Sequence, residues 1–367
     1  MESEKKVFLY KQVYQDLRDK IESGVFQSGD LLPSEREVGD TYHVDRTTVR
    51  KAFALLVDSG LVEKRAGKGS VVISRTTSAA GTDAPLPGAS NTIAFLLPKS
   101  TNKSDRITVP FYAELFFNIE KSCKALGYSL LYSSLDSYED FEHLLALHPN
   151  ISGIIFVSNT SKQCIERALD ENIPSVLLNS FNSKVPSILS DNFYGTYDAA
   201  RYLIGRGHRD IAVLSGISDY VTAKERLQGV VAALRESGLT LREEYFLNAG
   251  TWEADGGFEQ VKALLHSGHK APTAIICFND RLASGAIQAV TQAGLSVPDD
   301  ISIFGYDNSD HAKYSIPKMS SVEINTPLMA KSAFLSLLDQ MTFKELLPIK
   351  IVTPVKLVER ESVRTIS

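Results

Sequence analysis

Two groups of side chains in this 367-residue sequence are of types that recognise other molecules. The first is basic. Arg46-Thr47-Thr48-Val49-Arg50-Lys51 opens a stretch in which Val49, Ala52, Phe53, Leu56 and Val57 recur at helical spacing, which leaves Arg46, Thr47, Thr48, Arg50 and Lys51 on the outward turns. Arginines there can pair bidentately with guanine in a major groove, and threonine can meet phosphate or a thymine methyl. The second group is scattered: Phe111-Tyr112, Asp191-Asn192, Arg226, Trp252, Asn279-Asp280 and Asp307, each just after an apolar run or at the start of the next helical pattern. Arg226 opposed by Asp191 and Asp280 suits hydroxyl groups, which both donate and accept, and aromatic rings can cover an apolar ring face. Plainer roles stay open: Asp280 can cap a helix, Asp307 a turn, Arg226 can form a structural ion pair, and Trp252 can be packing or a lid.

The elements that must hold the basic group are legible around it. Residues 10–23 place Tyr10, Val13, Leu17 and Ile21 on one helical face, a scaffold helix. Pro33-Ser34-Glu35-Arg36-Glu37 opens a second helix with Ser34 as N-cap and Glu37 completing a capping box, and it ends near Tyr42. His43-Val44-Asp45 then turns into the third helix, with Asp45 as its cap. Residues 60–72 read as two short strands whose turn holds Gly67 and Gly69, with Lys68 at the tip of a wing. From residue 46 to 75 seven bases, Arg65 among them, face two acids in a chain of formal charge −5, so a local basic patch is available to nucleic acid.

The stretch SRTTSAAGTDAPLPGASN, residues 74–91, is small and polar and cannot form a core. Beyond it, apolar runs near 93–97, 129–133, 153–157, 175–179, 211–215, 245–248, 274–278 and 301–306 alternate with helical patterns such as 111–126, 194–206, 223–237, 254–267 and 281–293. Strands apolar on both faces with helical crossovers predict parallel sheet covered on both sides, and their number predicts two sheets side by side. The scattered polar group then falls in the crevice outside the carboxyl ends of the strands, where ligands bind in such sheets.

Cys123, Cys164 and Cys277 are far apart, without the spacing of a disulfide framework or zinc site, and read as buried thiols. No signal-peptide-like or membrane-length apolar run occurs, so a cytoplasmic location without membrane contact is expected. No Walker A, HExxH or GxSxG pattern is present, which argues against an enzyme and leaves no metal or cofactor expected.

Residues 10–73, through LLPSEREV, RTTVRKA and GKGS, resemble the GntR family of bacterial regulators. The resemblance implies that Arg36, Arg46, Thr47, Thr48 and Arg50 touch DNA while Lys68 and Gly69 reach the minor groove. With the neighbouring polar and basic residues, the expected DNA-binding set is Ser34, Arg36, Arg46, Thr47, Thr48, Arg50, Lys51, Arg65, Lys68 and Gly69. Residues 93–362 resemble the LacI/GalR regulators and periplasmic sugar-binding proteins through IAFLLP, PFYAELFFNIEKSCKALGYSLL, SDNFYGTYDAARYLIGRGHRDIAVLSG, ERLQGVVAALRESGL, AIICFNDRLASGAIQAV, VPDDISIFGYDN and PVKLVERES. Val109 departs from the asparagine that those relatives often carry before the proline, and residues 100–108 are unusually polar. The expected fold is a winged helix (residues 1–75), a linker (76–91) and a two-lobed α/β domain with two doubly wound parallel sheets (92–367). Lobe 1 is expected to hold 92–190 and 307–323, lobe 2 191–306 and 324–342, with crossings near Asp191, Asp307 and 322–324. The pairing of these two domain types is that of the arabinose-responsive repressors. It implies a repressor that binds a palindromic operator as a homodimer, through helices such as 111–126 and 136–147, and is released by a monosaccharide such as L-arabinose. Activation by the sugar stays open as an alternative, and an enzyme-like fusion as a remoter one. The expected effector contacts are Phe111, Tyr112, Asp191, Arg226, Trp252, Asn279, Asp280 and Asp307.

Overall fold

The computed structural model describes residues 10, 13–14, 16–18, 20–21, 25–27, 29–58, 61–65, 69–72, 91–99, 105–342 and 347–366. Two units separate, Met1–Ala84 and Pro85–Ser367. Residues 76–90 of the expected linker and Lys68 lie outside the described residues, as does the side chain of Arg65.

In the first unit, helices Glu35–Tyr42 and Arg46–Asp58 are joined by a three-residue turn in which His43 takes a left-handed conformation. The capping box forms: Ser34 N–H donates to Glu37 Oε2 at 2.7 Å while Glu37 N–H donates to Ser34 Oγ at 3.3 Å. Asp45 caps the next helix by accepting from Thr48 N–H at 2.8 Å. Strands β1 (Val62–Arg65) and β2 (Gly69–Val72) pair antiparallel. Leu31 bridges to Val71, and Leu32 N–H donates to the Ser70 carbonyl at 2.9 Å, so the chain entering the helix pair extends the wing. Val13, Leu17, Val38, Val49, Ala52, Phe53 and Leu56 fill the core beneath.

The second unit holds two six-stranded sheets. In the first, β4 (Ser129–Leu135), β3 (Thr92–Pro98), β5 (Ile151–Val157), β6 (Ser175–Leu178), β7 (Ser187–Ser190) and β13 (Lys350–Thr353) lie in that order, all parallel. In the second the order is β9 (Phe246–Asn248), β8 (Ile211–Ser215), β10 (Ala274–Cys277), β11 (Ser302–Asp307), β12 (Ser320–Ile324) and β14 (Val355–Val358), parallel except for β14. Apolar clusters lie on both faces of each sheet, as the unbroken apolar runs require.

The expected division of the C-terminal part between lobes is reversed in the structure. Segment 307–323 stays in lobe 2, because β12 pairs with β11 through Phe304↔Ser320 to Asp307↔Glu323. Helix Thr326–Thr342 packs instead on β5, β6 and β7 of lobe 1. The chain crosses between lobes at Asp191, between β7 and helix Asn192–Gly205; at Asn325, between β12 and helix Thr326–Thr342; and at Pro354, between β13 and β14. Asp307 is therefore no crossing. Each true crossing is a single residue, which confines backbone rotation between the lobes to three points.

Helices Ala254–His266 and Asp280–Gln292 meet through glycines: a Cβ at Gly257 would strike the Leu282 carbonyl, and one at Gly285 the Ala254 carbonyl. Gly205 has open space around its missing Cβ. Denaturant titration of Gly285→Ala should therefore show a loss of roughly 1–3 kcal/mol in the second unit, with Gly205→Ala neutral or slightly stabilising. Equal effects would refute the close helix approach.

Candidate functional site

Between the lobes lies a cleft with walls from both sheets. Four strands deliver residues to it from their carboxyl ends: Ser158 follows β5, Asn179 follows β6, Asn279 follows β10 and Asp307 ends β11. Three of these adopt positive φ, Ser158 and Asn179 at 57° and Asp307 at 107°. Such conformations cost on the order of 1 kcal/mol or more for non-glycine residues and persist where the surroundings over-determine them, commonly at ligand sites.

Of the expected contacts, Phe111, Tyr112, Arg226, Trp252, Asn279 and Asp307 line this cleft. Phe111 and Tyr112 stand edge-to-face, with centroids 5.1 Å apart, at the start of helix Pro110–Ala125 in lobe 1. Trp252 comes from lobe 2 beside Tyr220, with centroids 6.1 Å apart. Arg226, only 4% exposed, donates through Nε to Asn192 Oδ1 at 2.9 Å and through a terminal nitrogen to the Phe278 carbonyl. Its guanidinium lies 3.5 Å from the centroid of the Tyr306 ring. Asn279 caps helix Asp280–Gln292 by accepting from Leu282 N–H at 2.7 Å.

Asp191 and Asp280 do not line the cleft. Asp191 caps helix Asn192–Gly205, accepting from Tyr194 N–H at 3.1 Å. Asp280 is fully buried behind the wall, where it accepts from Ser309 N–H at 2.7 Å, Ser309 Oγ at 2.9 Å and Ser321 Oγ at 2.6 Å. The Asp280 carboxylate is taken up by donors of its own lobe, whereas Asp191 caps its helix outside the cleft lining. Asp307 differs: among the described residues its carboxyl makes no hydrogen bond. Burial pushes that carboxyl well above the ordinary carboxylate range, with Arg226 opposing the shift and Asp280 adding to it.

Sequence reasoning missed Arg106, Ser158, Asn179, Tyr220, Glu253 and Arg281, all of which line the cleft. Arg281 pairs with Glu253, its terminal nitrogen 3.0 Å from Oε1. Tyr112 Oη lies 2.9 Å from Ser158 Oγ, which accepts from Asn179 Nδ2 at 3.2 Å, while Asn179 Oδ1 is buried without a partner. A second chain ties the cleft to the lobe junction: Asn192 Nδ2 donates to Glu225 Oε2 at 3.0 Å, and Glu225 Oε1 holds Lys350 Nζ of lobe 1 at 2.8 Å.

In the first unit, Ser34, Arg36, Arg46, Thr47, Arg50, Lys51 and Gly69 are exposed, whereas Thr48 is buried against the helix core at 4% exposure. Thr48 is thereby removed from the outward set. Glu35 gathers the basic face: its Oε2 lies 3.0 Å from Arg50 Nε and 3.3 Å from Arg46 Nε, and its Oε1 3.8 Å from Lys64 Nζ. Burial pushes the Glu35 carboxyl up, but Arg50 and Arg46 outweigh it and hold it below the usual range.

Both units match known proteins. The family model of bacterial regulatory proteins, gntR family, fits residues 9–72, and that of the periplasmic binding protein-like domain fits residues 200–363. The HTH-type transcriptional repressor PurR of Yersinia enterocolitica is 35% identical over 263 residues, 69% of this chain and 76% of that protein. The chain belongs to the LacI-type transcriptional regulators, with a GntR-type DNA-binding domain in front. Among solved structures, a LacI family regulator from Enterococcus faecium with bound ribose matches at TM-score 0.66 and 26% identity, over 75% of this chain and 100% of that one. The lac repressor dimer bound to operator and the anti-inducer ONPF matches at 0.65 and 26%, over 75% and 94%. No helix among the described residues of this LacI-type regulator is long and apolar enough to cross a membrane.

The raised Asp307 carboxyl gives this regulator a pH signature. The folded chain keeps a proton there that the unfolded chain releases at about the ordinary value of 3.8. Ligand-free stability should therefore fall as pH climbs from that value through the raised one. Asp307→Asn removes the contribution, so its stability relative to the parent should rise between about pH 5 and about pH 8 in denaturant titrations. A constant difference across that range would contradict the assignment.

Proposed function

We propose that this regulator is a repressor of carbohydrate-utilisation genes that holds a palindromic operator as a homodimer and lets go when a monosaccharide-sized, polyhydroxylated molecule enters the cleft. The observation that carries the reading is the buried Arg226 beside Asp307, whose carboxyl makes no hydrogen bond among the described residues, with aromatic rings from both lobes around them. A donor, an acceptor and ring faces within one cleft suit sugar hydroxyls and the apolar face of a sugar ring. The ribose in the Enterococcus faecium structure supports this ligand class. L-arabinose or a related pentose or deoxyhexose is the neutral sugar to try first.

Arg46 and Arg50 are the base-reading candidates, with Thr47, Lys51 and Arg36 beside them on the exposed face. Glu35 holds the Nε side of both guanidiniums, which restricts their rotamers before DNA arrives. The dimer in the lac repressor–operator structure supports pairing here. Phe117 on helix Pro110–Ala125, 62% exposed, and Tyr314 and Ile316, 78% and 92% exposed, supply apolar surface for it. Ligand must favour a lobe arrangement that strains the two-site grip, with a coupling of about 1–3 kcal/mol.

Operator anisotropy titrations test the reading. Arg46→Ala or Arg50→Ala should lose roughly 1–3 kcal/mol of discrimination between operator and random DNA. Arg226→Ala should keep operator affinity while ligand no longer releases it. An Arg226→Ala chain that still responds would displace the site from this cleft.

A further inference from the structure

Among the described residues Arg106 is a cleft cation with no carboxylate paired to it. It opens the short 3-10 helix Arg106–Thr108 of lobe 1 and is half-buried. Its partners among the described residues are tyrosine hydroxyls: Tyr220 of lobe 2, 3.5 Å from a terminal nitrogen, and Tyr112. The other two cleft arginines are compensated, Arg281 by Glu253 and Arg226 by Asn192, the Phe278 carbonyl and the Tyr306 ring. No described aspartate or glutamate forms an ion pair with Arg106. Adjacent Asp105 is committed elsewhere, capping Ile107 N–H and accepting from the Tyr132 hydroxyl, and residues 100–104, Ser-Thr-Asn-Lys-Ser, contain no acid.

A half-buried guanidinium held only by neutral hydroxyls gains from an anion that reaches it. The surrounding chemistry continues in one direction from there. Tyr112 leads to Ser158 and Ser158 to Asn179, whose buried Oδ1 lacks a donor. One wall thus presents a cationic, donor-rich end followed by an acceptor that a ligand hydroxyl can satisfy.

We propose that the effector is a hydroxylated anion, a sugar bearing a carboxylate or a phosphate, with its acid group on Arg106 and its hydroxyls on Asn179, Arg226 and Asp307. This deepens the polyhydroxyl reading and rests on it. Arg106 acts as the residue that separates acidic sugars from their neutral parents, because a bidentate guanidinium–oxyanion pair is available only to the former.

The test is calorimetry on the full chain with matched probes: L-arabinose and D-galactose as neutral sugars, L-arabinonate and D-galacturonate as carboxylates, and the terminal phosphate esters of both sugars. At least one acid should bind roughly 30-fold or more tightly than its neutral parent, and the carboxylate and phosphate arms tell which acid group fits. Arg106→Gln should abolish the preference, bringing acid and neutral parent to within about three-fold of each other, and Arg106→Lys should restore part of it. Neutral sugars binding as well as every acid, an acid preference that survives Arg106→Gln, or a panel in which no acid binds would each overturn the proposal. If a neutral sugar alone binds and Arg226→Ala abolishes it, only the anion proposal falls. Binding that survives Arg226→Ala removes the cleft reading as well.

Discussion

The arrangement depends on keeping one charge, the Arg226 guanidinium, almost out of water beside a cavity. An uncompensated buried charge of that kind destabilises a fold by several kcal/mol. Its compensation comes from three directions: Asn192 at the start of the helix after the first crossing, the Phe278 carbonyl at the end of β10, and the face of Tyr306 on β11. Satisfying all three fixes helix Val221–Glu236 against helix Asn192–Gly205 and both against the sheet. The close approach is allowed by small residues: a Cβ at Gly229 would strike the Phe193 carbonyl, and one at Gly195 would come 2.9 Å from the Tyr306 hydroxyl. Thr196 Oγ1 then donates to the Arg226 carbonyl at 2.7 Å, locking the helix pair at the level of the site.

The same constraint offers a route from ligand to lobe geometry. Asn192 uses its oxygen for Arg226 and its nitrogen for Glu225, and Glu225 reaches across to Lys350 on β13. Lys350 precedes the Pro354 crossing by four residues, and Asn192 directly follows the Asp191 crossing. A ligand that pulls on Arg226 therefore acts on a hydrogen-bonded chain spanning two of the three points where the lobes can rotate. Ligand shifts the equilibrium only through a difference in affinity between lobe arrangements, and this chain is a place where such a difference can arise.

Much of this was legible because strand ends are legible. An apolar run followed by a polar residue and then helical periodicity put Arg226, Asn279 and Asp307 near one crevice without further information. The same signal misled at Asp191 and Asp280, since a strand-end carboxylate facing a cleft and one capping a helix leave the same local pattern. Which it is depends on donors such as Ser309 and Ser321, distant in sequence from Asp280. Arg106, in a polar stretch without periodicity, gave no signal, although the anomalous polarity of residues 100–108 marked the place. The lobe division was misjudged because the partners of β12, β13 and β14 are set by long-range pairing, which periodicity does not encode. On the recognition helix, Thr48 stands one residue before buried Val49, and its hydroxyl gave no warning that the core would cover it.

Trp252 is the only tryptophan in the chain and it lines the cleft, which makes its fluorescence a direct reporter of occupancy. The central claim is that the molecule that releases the regulator from DNA does so from this cleft. The measurement is a titration of the DNA-free chain with whichever compound abolishes operator binding, following Trp252 emission. A saturable change at the concentrations that release DNA is the predicted result, and release from DNA with Trp252 emission unchanged would contradict the account.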